Sequence, residues 1–269
     1  MVLRGYLVEW NEVVPWSNMH QVEQDLIIGR VLVEIYKDEF LSKCLAFRGG
    51  TAIHRLFLTQ QARYSEDIDL VQMVAEPIGP TLDKLREVLS FLGTPVTQRK
   101  ASNNTMIYKI QSTFPPETPL KLKIEINCKE HFSVLGYKKL PYEIANTWFS
   151  GKCELVTFDF NELLGTKLRA LYQRRKGRDL FDLFLATSSP LLHPDVAIEC
   201  FRRYITFSDG KAPSKEVYIR NLEDKMKVPQ FLKDMDGIIR PGIEYDPSKA
   251  FEIVKEVFLK QMTGCKYGK

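Results

Sequence analysis

The sequence is poor in the features of a secreted, disulfide-bonded or zinc-binding protein. Its five cysteines, Cys44, Cys128, Cys153, Cys200 and Cys265, are odd in number and nowhere form a CxxC pair. That argues against a disulfide framework or a zinc knot and for reduced thiols. The four histidines are scattered, and His131, three residues after Cys128, makes with it only half of a metal site. No apolar run approaches the length needed to cross a bilayer. The opening MVLRGYLVEWNEVV lacks a basic region followed by an apolar block and a small-residue cleavage site. We expect a soluble, cytoplasmic protein with no membrane partner. Internal repeats and low-complexity blocks are also missing.

What remains is ordinary globular material. A chain of 269 residues, 44% hydrophobic and 27% charged, makes one large domain or two modest ones with a real core. The net charge of +4 permits a nucleotide or RNA partner without requiring one.

Hydrophobic spacing divides the chain. Val22, Leu26, Val33, Tyr36 and Phe40 predict a helix from a Ser17 cap to about Cys44, with Gly29 on the same stripe. CLAF reads as a short strand broken by GG, TAIHRLFL as a helix and DIDLVQ as a strand. TLDKLREVLSFL is amphipathic and stops at Gly93. TMIYKIQ and PLKLKIEIN alternate as half-buried strands do. The tract 132–152, with Gly136, Pro141 and Gly151, reads as irregular. From Asp159, paired with Glu162 as a capping box, helices are expected at about 160–176, 178–187, 193–204, 214–224 and 246–262. The expected organisation is an α/β part at 1–157 and a helical part at 158–269.

Three stretches carry chemistry. In FRGGT, two glycines between a strand and a helix place free N–H groups where a phosphate could sit, with Arg48 adjacent. A plain tight turn explains the same letters. In SEDIDL, Asp67 and Asp69 share one strand face while Ile68 and Leu70 take the other. Side-by-side carboxylates repel, and Mg2+ or Mn2+ between them and triphosphate oxygens relieves the repulsion. A solvated strand end is the alternative. In LKLKIEIN, Leu120, Leu122, Ile124 and Ile126 take the buried face. Glu125 shares the other with Lys121, Lys123 and Asn127, as a third ligand, a general base or a solvated acid.

The segment NELLGTKLRALYQRRKGRDLFDLFLA has a buried stripe of Leu163, Leu164, Leu168 and Leu171. Lys167 and Arg174 lie seven residues apart along one side. Six cations occur between Lys167 and Arg178 with no acid among them, a grip for a triphosphate or RNA backbone or a solvated face with an Arg178–Asp182 pair. Gly177 is expected to end this helix. Asp179 and Asp182 interrupt an apolar helix, and a buried aspartate needs a partner.

FRGGTAIHRL, RYSEDIDL and KLRALYQRRKGRDLFDL, in that order over about residues 47–183, resemble the AbiEii-type (MenT-like) toxin family of the polymerase-beta-like nucleotidyltransferases. The resemblance implies a bilobed fold, with a mixed-sheet N-terminal lobe, a helical C-terminal lobe and the nucleotide between them. It implies that Gly49, Gly50 and Thr51 hold phosphate and that Asp67 and Asp69 hold Mg2+. Lys167 would reach the nucleotide and Asp179 would complete the site. Arg63 and Ser65 match the family's R-x-S-x-D-x-D pattern. It further implies an NTP substrate, pyrophosphate release, an RNA acceptor such as the tRNA 3′ end, and a separately encoded antitoxin in a bacterial setting. Arg48 stands where the family more often has lysine, His54 where aliphatic or basic residues are usual, and the chain beyond Pro190 carries no matched motif. The expected activity is a metal-dependent nucleotidyltransferase. A nucleotide- or RNA-binding protein without turnover, a phosphohydrolase or nuclease using the same acids, and transfer to a protein side chain are the alternatives.

Overall fold

The expected first helix is present but divided. In the computed structural model, which describes residues 2–14, 16–58, 60–100, 102–115 and 118–262, α1 (Arg4–Val13) precedes α2 (Met19–Lys37). Asn18, not Ser17, caps α2 by accepting from the His20 N–H. The Asp38 carboxylate accepts from Phe40 and Leu41 and opens α3 (Glu39–Cys44). A side chain that satisfies two otherwise unpaired helix-start donors begins a new helix. Phe40, expected on the buried stripe, is consequently exposed.

The sheet follows: β1 (Leu45–Arg48), α4 (Gly49–Leu56), β2 (Asp67–Gln72), α5 (Gly79–Val88), β3 (Val96–Arg99), β4 (Asn103–Gln111), β5 (Pro119–Asn127), β6 (Tyr137–Ala145) and β7 (Ser150–Phe158). The described strands form a seven-stranded sheet in the order β3-β4-β5-β2-β1-β7-β6. The β1/β7 and β2/β5 pairs are parallel and the others antiparallel, so the sheet is mixed as expected. Ile68, Leu70, Met106, Tyr108, Leu122, Ile124 and Ile126 are all buried. Each such side chain contributes about 1.5–3 kcal/mol of burial. Helix α2 packs against β5, β6 and β7.

The tract 132–152 is not irregular: it supplies all of β6 and the start of β7. Pro141 obscured this, yet β6 is an edge strand, where a missing N–H is tolerated. A half-exposed edge strand also lacks the clean alternation of β5.

The second part is helical: α6 (Phe160–Gln173), α7 (Gly177–Ala186), α8 (Pro194–Asp209), α9 (Lys215–Met226), α10 (Pro229–Leu232) and α11 (Pro247–Val257). Asp159 caps α6 through the Asn161 N–H, but the capping box does not close, because Glu162 is buried and accepts from the Tyr204 hydroxyl at 2.7 Å. Helix α6 stops at Gln173 rather than at Gly177. The Lys225 ammonium donates to the carbonyls of Leu171 and Tyr172, satisfying its last turn. Gly177 opens α7 instead, where a β-carbon would overlap the Phe231 carbonyl.

The chain divides into two compact units. One runs to Phe158 and includes Ile238–Gly242; the other comprises Asp159–Gly237 and the chain from Ile243. The returning segment bonds beside Arg63: Tyr64 N–H donates to Ile238 O at 2.7 Å and Arg240 N–H to Ala62 O at 2.9 Å. Among the described residues no helix is long and apolar enough to cross a membrane.

Candidate active site

The glycine turn and the two aspartates meet because β1 and β2 run antiparallel, with Arg48 opposite Asp69. Strand β1 ends at Arg48, and Gly49 takes φ 83°, a left-handed conformation that favours glycine. A β-carbon on Gly49 would overlap Oδ2 of Asp69. The turn is therefore glycine for two independent reasons, backbone angle and close approach to a carboxylate. Gly50 follows in the first turn of α4 and is buried.

Thr51, which the resemblance implied holds phosphate, has its side chain engaged within the fold. It is buried, and its hydroxyl lies 2.6 Å from the Asp67 carbonyl and 2.7 Å from Ser65 Oγ. Its oxygen ties α4 to the start of β2, because a buried hydroxyl takes the nearest acceptor. Ser65 is engaged in the same tie. Both residues fix where Asp67 begins its strand.

Asp67 and Asp69 project from one face of β2. Burial and then the Asp69 charge push the Asp67 carboxyl up to about 6, against the opposing pull of Lys123. Strand β5 places Lys123 opposite Asp67 and Glu125 opposite Asp69. Glu125, expected as a third ligand, is turned to Lys123, with Oε1 2.9 Å from Nζ. A nearby ammonium is the better partner for a carboxylate than two further carboxylates. Among the described residues no three His, Cys, Asp or Glu side chains converge as a metal cluster. Two hard carboxylates nevertheless suit Mg2+, which binds through one or two of them and completes its shell with phosphate and water. Asp67 and Asp69 fit that pattern.

Arg48 is paired with Glu130, Nη1 to Oε2 2.5 Å, and both are largely shielded from solvent. Arg63 is buried and donates to the Tyr64 carbonyl at 3.1 Å. His54 is buried as well, and its Nδ1 accepts from the Ala62 N–H at 3.3 Å. Arg63 and His54 thus anchor the segment leading into Ser65 and β2. Lys123 and Glu130 were not singled out from the sequence. Lys123 was legible, being two residues before Glu125 on the same strand face; Glu130 had no local signal.

The helical unit carries its own charged cluster. Lys167 Nζ lies 3.0 Å from Asp179 and 2.8 Å from Asp182, and all three are buried. Arg174 forks onto Asp179, with Nε 2.7 Å from Oδ2 and Nη2 2.8 Å from Oδ1. Burial alone would push the Asp179 carboxyl up, but Lys167 and Arg174 outweigh it and hold it below the usual range. The Arg178–Asp182 pair is not formed: Arg178 lies 3.6 Å from Asp234 instead. The ammonium of Lys167 is thus enclosed by aspartates, and the side chain of Arg174 is about half exposed.

In fold, the chain is similar to the nucleotidyltransferase toxin MenT4 of Mycobacterium tuberculosis, at a TM-score of 0.67 and 13% identity over 98% of this chain and 91% of that one. It is also similar to JHP933 of Helicobacter pylori, at a TM-score of 0.53 and 14% identity over 92% and 94%. No curated protein is detectably similar in sequence. The family model of the nucleotidyl transferase AbiEii toxins of type IV toxin–antitoxin systems matches residues 30–257. With most of its length matched, including the glycine turn, Asp67, Asp69 and the Lys167–Asp182 segment, this chain belongs to the AbiEii nucleotidyltransferase toxin family.

Proposed function

We propose that this nucleotidyltransferase transfers NMP from an NTP to an RNA hydroxyl, the 3′ end of tRNA, with a divalent metal at Asp67 and Asp69. The observation that carries the reading is the apposition of the Asp69 carboxylate and the Gly49 turn. A candidate metal-binding acid and a candidate phosphate-binding turn occupy one corner of the sheet unit. The bound metal, Mg2+ or Mn2+, would neutralise charge on the triphosphate and lower the pKa of the attacking hydroxyl. The chain's own groups do the rest. The N–H groups at the start of α4 and the helix dipole receive phosphate oxygens. Arg48 supplies charge beside them. The acceptor oxygen bonds to the α-phosphorus, the α–β anhydride bond breaks, and pyrophosphate leaves. Glu125 accepts the hydroxyl proton once the ammonium of Lys123 has withdrawn from it. In the helical unit, Asp179 holds the half-exposed Arg174 and is itself held by Lys167, which leaves Arg174 as a cation able to take up an anion. Family membership further supports an antitoxin partner.

The test is label transfer. Purified protein with Mg2+, total tRNA and each α-labelled NTP should label RNA with one base preferred, and Asp67→Asn should abolish the label while the protein stays folded. Undiminished transfer by both Asp67→Asn and Asp69→Asn would sink the assignment. Label on protein rather than RNA would overturn the acceptor.

A further inference from the structure

The carboxylate pair has a cation of its own. Lys123 stands opposite Asp67 in the β2/β5 register, and its Nζ lies 2.9 Å from Glu125 Oε1. Asp67 and Asp69 are its other electrostatic partners. Three carboxylates on two adjacent strands would repel strongly at a half-buried site. One ammonium among them offsets that repulsion without any bound ion.

We propose that Lys123 is a resident counter-cation, which holds the carboxylates together before metal binds and passes to the triphosphate when metal enters. The inference rests on the metal-dependent reading of this site. A divalent ion arriving at Asp67 and Asp69 meets the like charge of the ammonium that these carboxylates already attract. The lysine has a flexible four-carbon stem and a point-like ammonium with rotatable donors, so it can leave without moving the strand. The incoming triphosphate gives it a new anionic partner. Its departure also frees Glu125, the only acid of the three that it bonds directly. Lys123 is thus a positioning residue: it makes metal entry depend on nucleotide and keeps the site ordered in its absence.

The two roles have opposite signs, which a merely structural lysine would not show. Mn2+ binding without nucleotide is read from the loss of free-ion paramagnetic resonance. Binding of the four α,β-methylene NTPs is read by calorimetry. In Lys123→Gln, Mn2+ should bind on the order of three- to tenfold more tightly, because a repelling charge is gone. The α,β-methylene NTP should bind more weakly by a similar factor. Lys123→Arg should restore nucleotide binding in part. Unchanged or weaker Mn2+ binding in Lys123→Gln, with wild-type binding intact, overturns this inference alone. A wild-type chain that binds no Mn2+ either alone or with α,β-methylene NTP overturns it together with the metal-dependent reading. Should Lys123→Gln fail to fold, lysine side-chain NMR of the wild-type chain decides: the Lys123 ammonium signal shifts when Mg2+ and α,β-methylene NTP are added together, and an unmoved signal overturns the proposal.

Discussion

Gly49 and Asp69 share a space that no other residue at position 49 would leave open. The glycine takes φ 83° and presents a bare Cα to the Asp69 carboxylate. Gly49→Ala therefore incurs two penalties, backbone strain and displacement of Asp69. We expect a loss of about 1–3 kcal/mol in stability and loss of Mn2+ binding. Chemical denaturation and metal titration check both, and an alanine variant with wild-type metal affinity would refute the close-approach argument.

Asp67 links the site to pH. Its carboxyl titrates near 6 in the folded chain, against about 3.9 when unfolded. Between those values the folded state holds the extra proton, so Asp67 subtracts stability progressively as pH rises through the window. The ion-free Asp67→Asn protein should be more stable than wild type at pH 7.5 by roughly 1–2 kcal/mol, allowing for partial solvent exposure. The difference should vanish below pH 4. Metal needs the ionised acid, so Mn2+ binding to the wild-type chain should fall as pH drops through about 6. Paired denaturation curves at pH 3.5 and 7.5 test the sign.

Thr51→Val keeps shape and removes the hydroxyl that reaches the Asp67 carbonyl and Ser65. The carbonyl and Ser65 Oγ each lose a buried partner. A cost of about 1–3 kcal/mol is expected, together with reduced transfer as Asp67 shifts. If Thr51 instead served only the phosphate, nucleotide affinity would fall and stability would not.

The helical unit contains a buried charge cluster whose members depend on one another. Lys167→Met removes the cation between Asp179 and Asp182, leaving Asp182 without that partner. We expect a destabilisation of about 3–5 kcal/mol, read by thermal or urea unfolding. The double variant Lys167→Met with Asp182→Leu should recover part of the loss, because it removes a buried charge along with its partner.

Much of this protein was determined by local sequence. Alternation in LKLKIEIN specifies which residues of β5 face the core, because strand periodicity is a property of the backbone. The same logic puts Asp67 and Asp69 on one face, and GG before TAIHRL marks a turn that demands glycine. Strand β6 was hidden because Pro141 and a half-exposed edge erase the pattern. Helix α3 was hidden because Asp38 restarts a helix within one long apolar stripe.

Partnership belonged to the tertiary structure alone. Nothing near Arg48 in sequence foretells Glu130, and nothing near Leu171 foretells Lys225. Lys167 read as an outward-reaching cation until its two aspartates enclosed it. Residue type and spacing dictate which way a side chain leaves the backbone. Which charge it meets there depends on how distant strands and helices are brought together, and a buried charge settles on whatever partner that packing supplies.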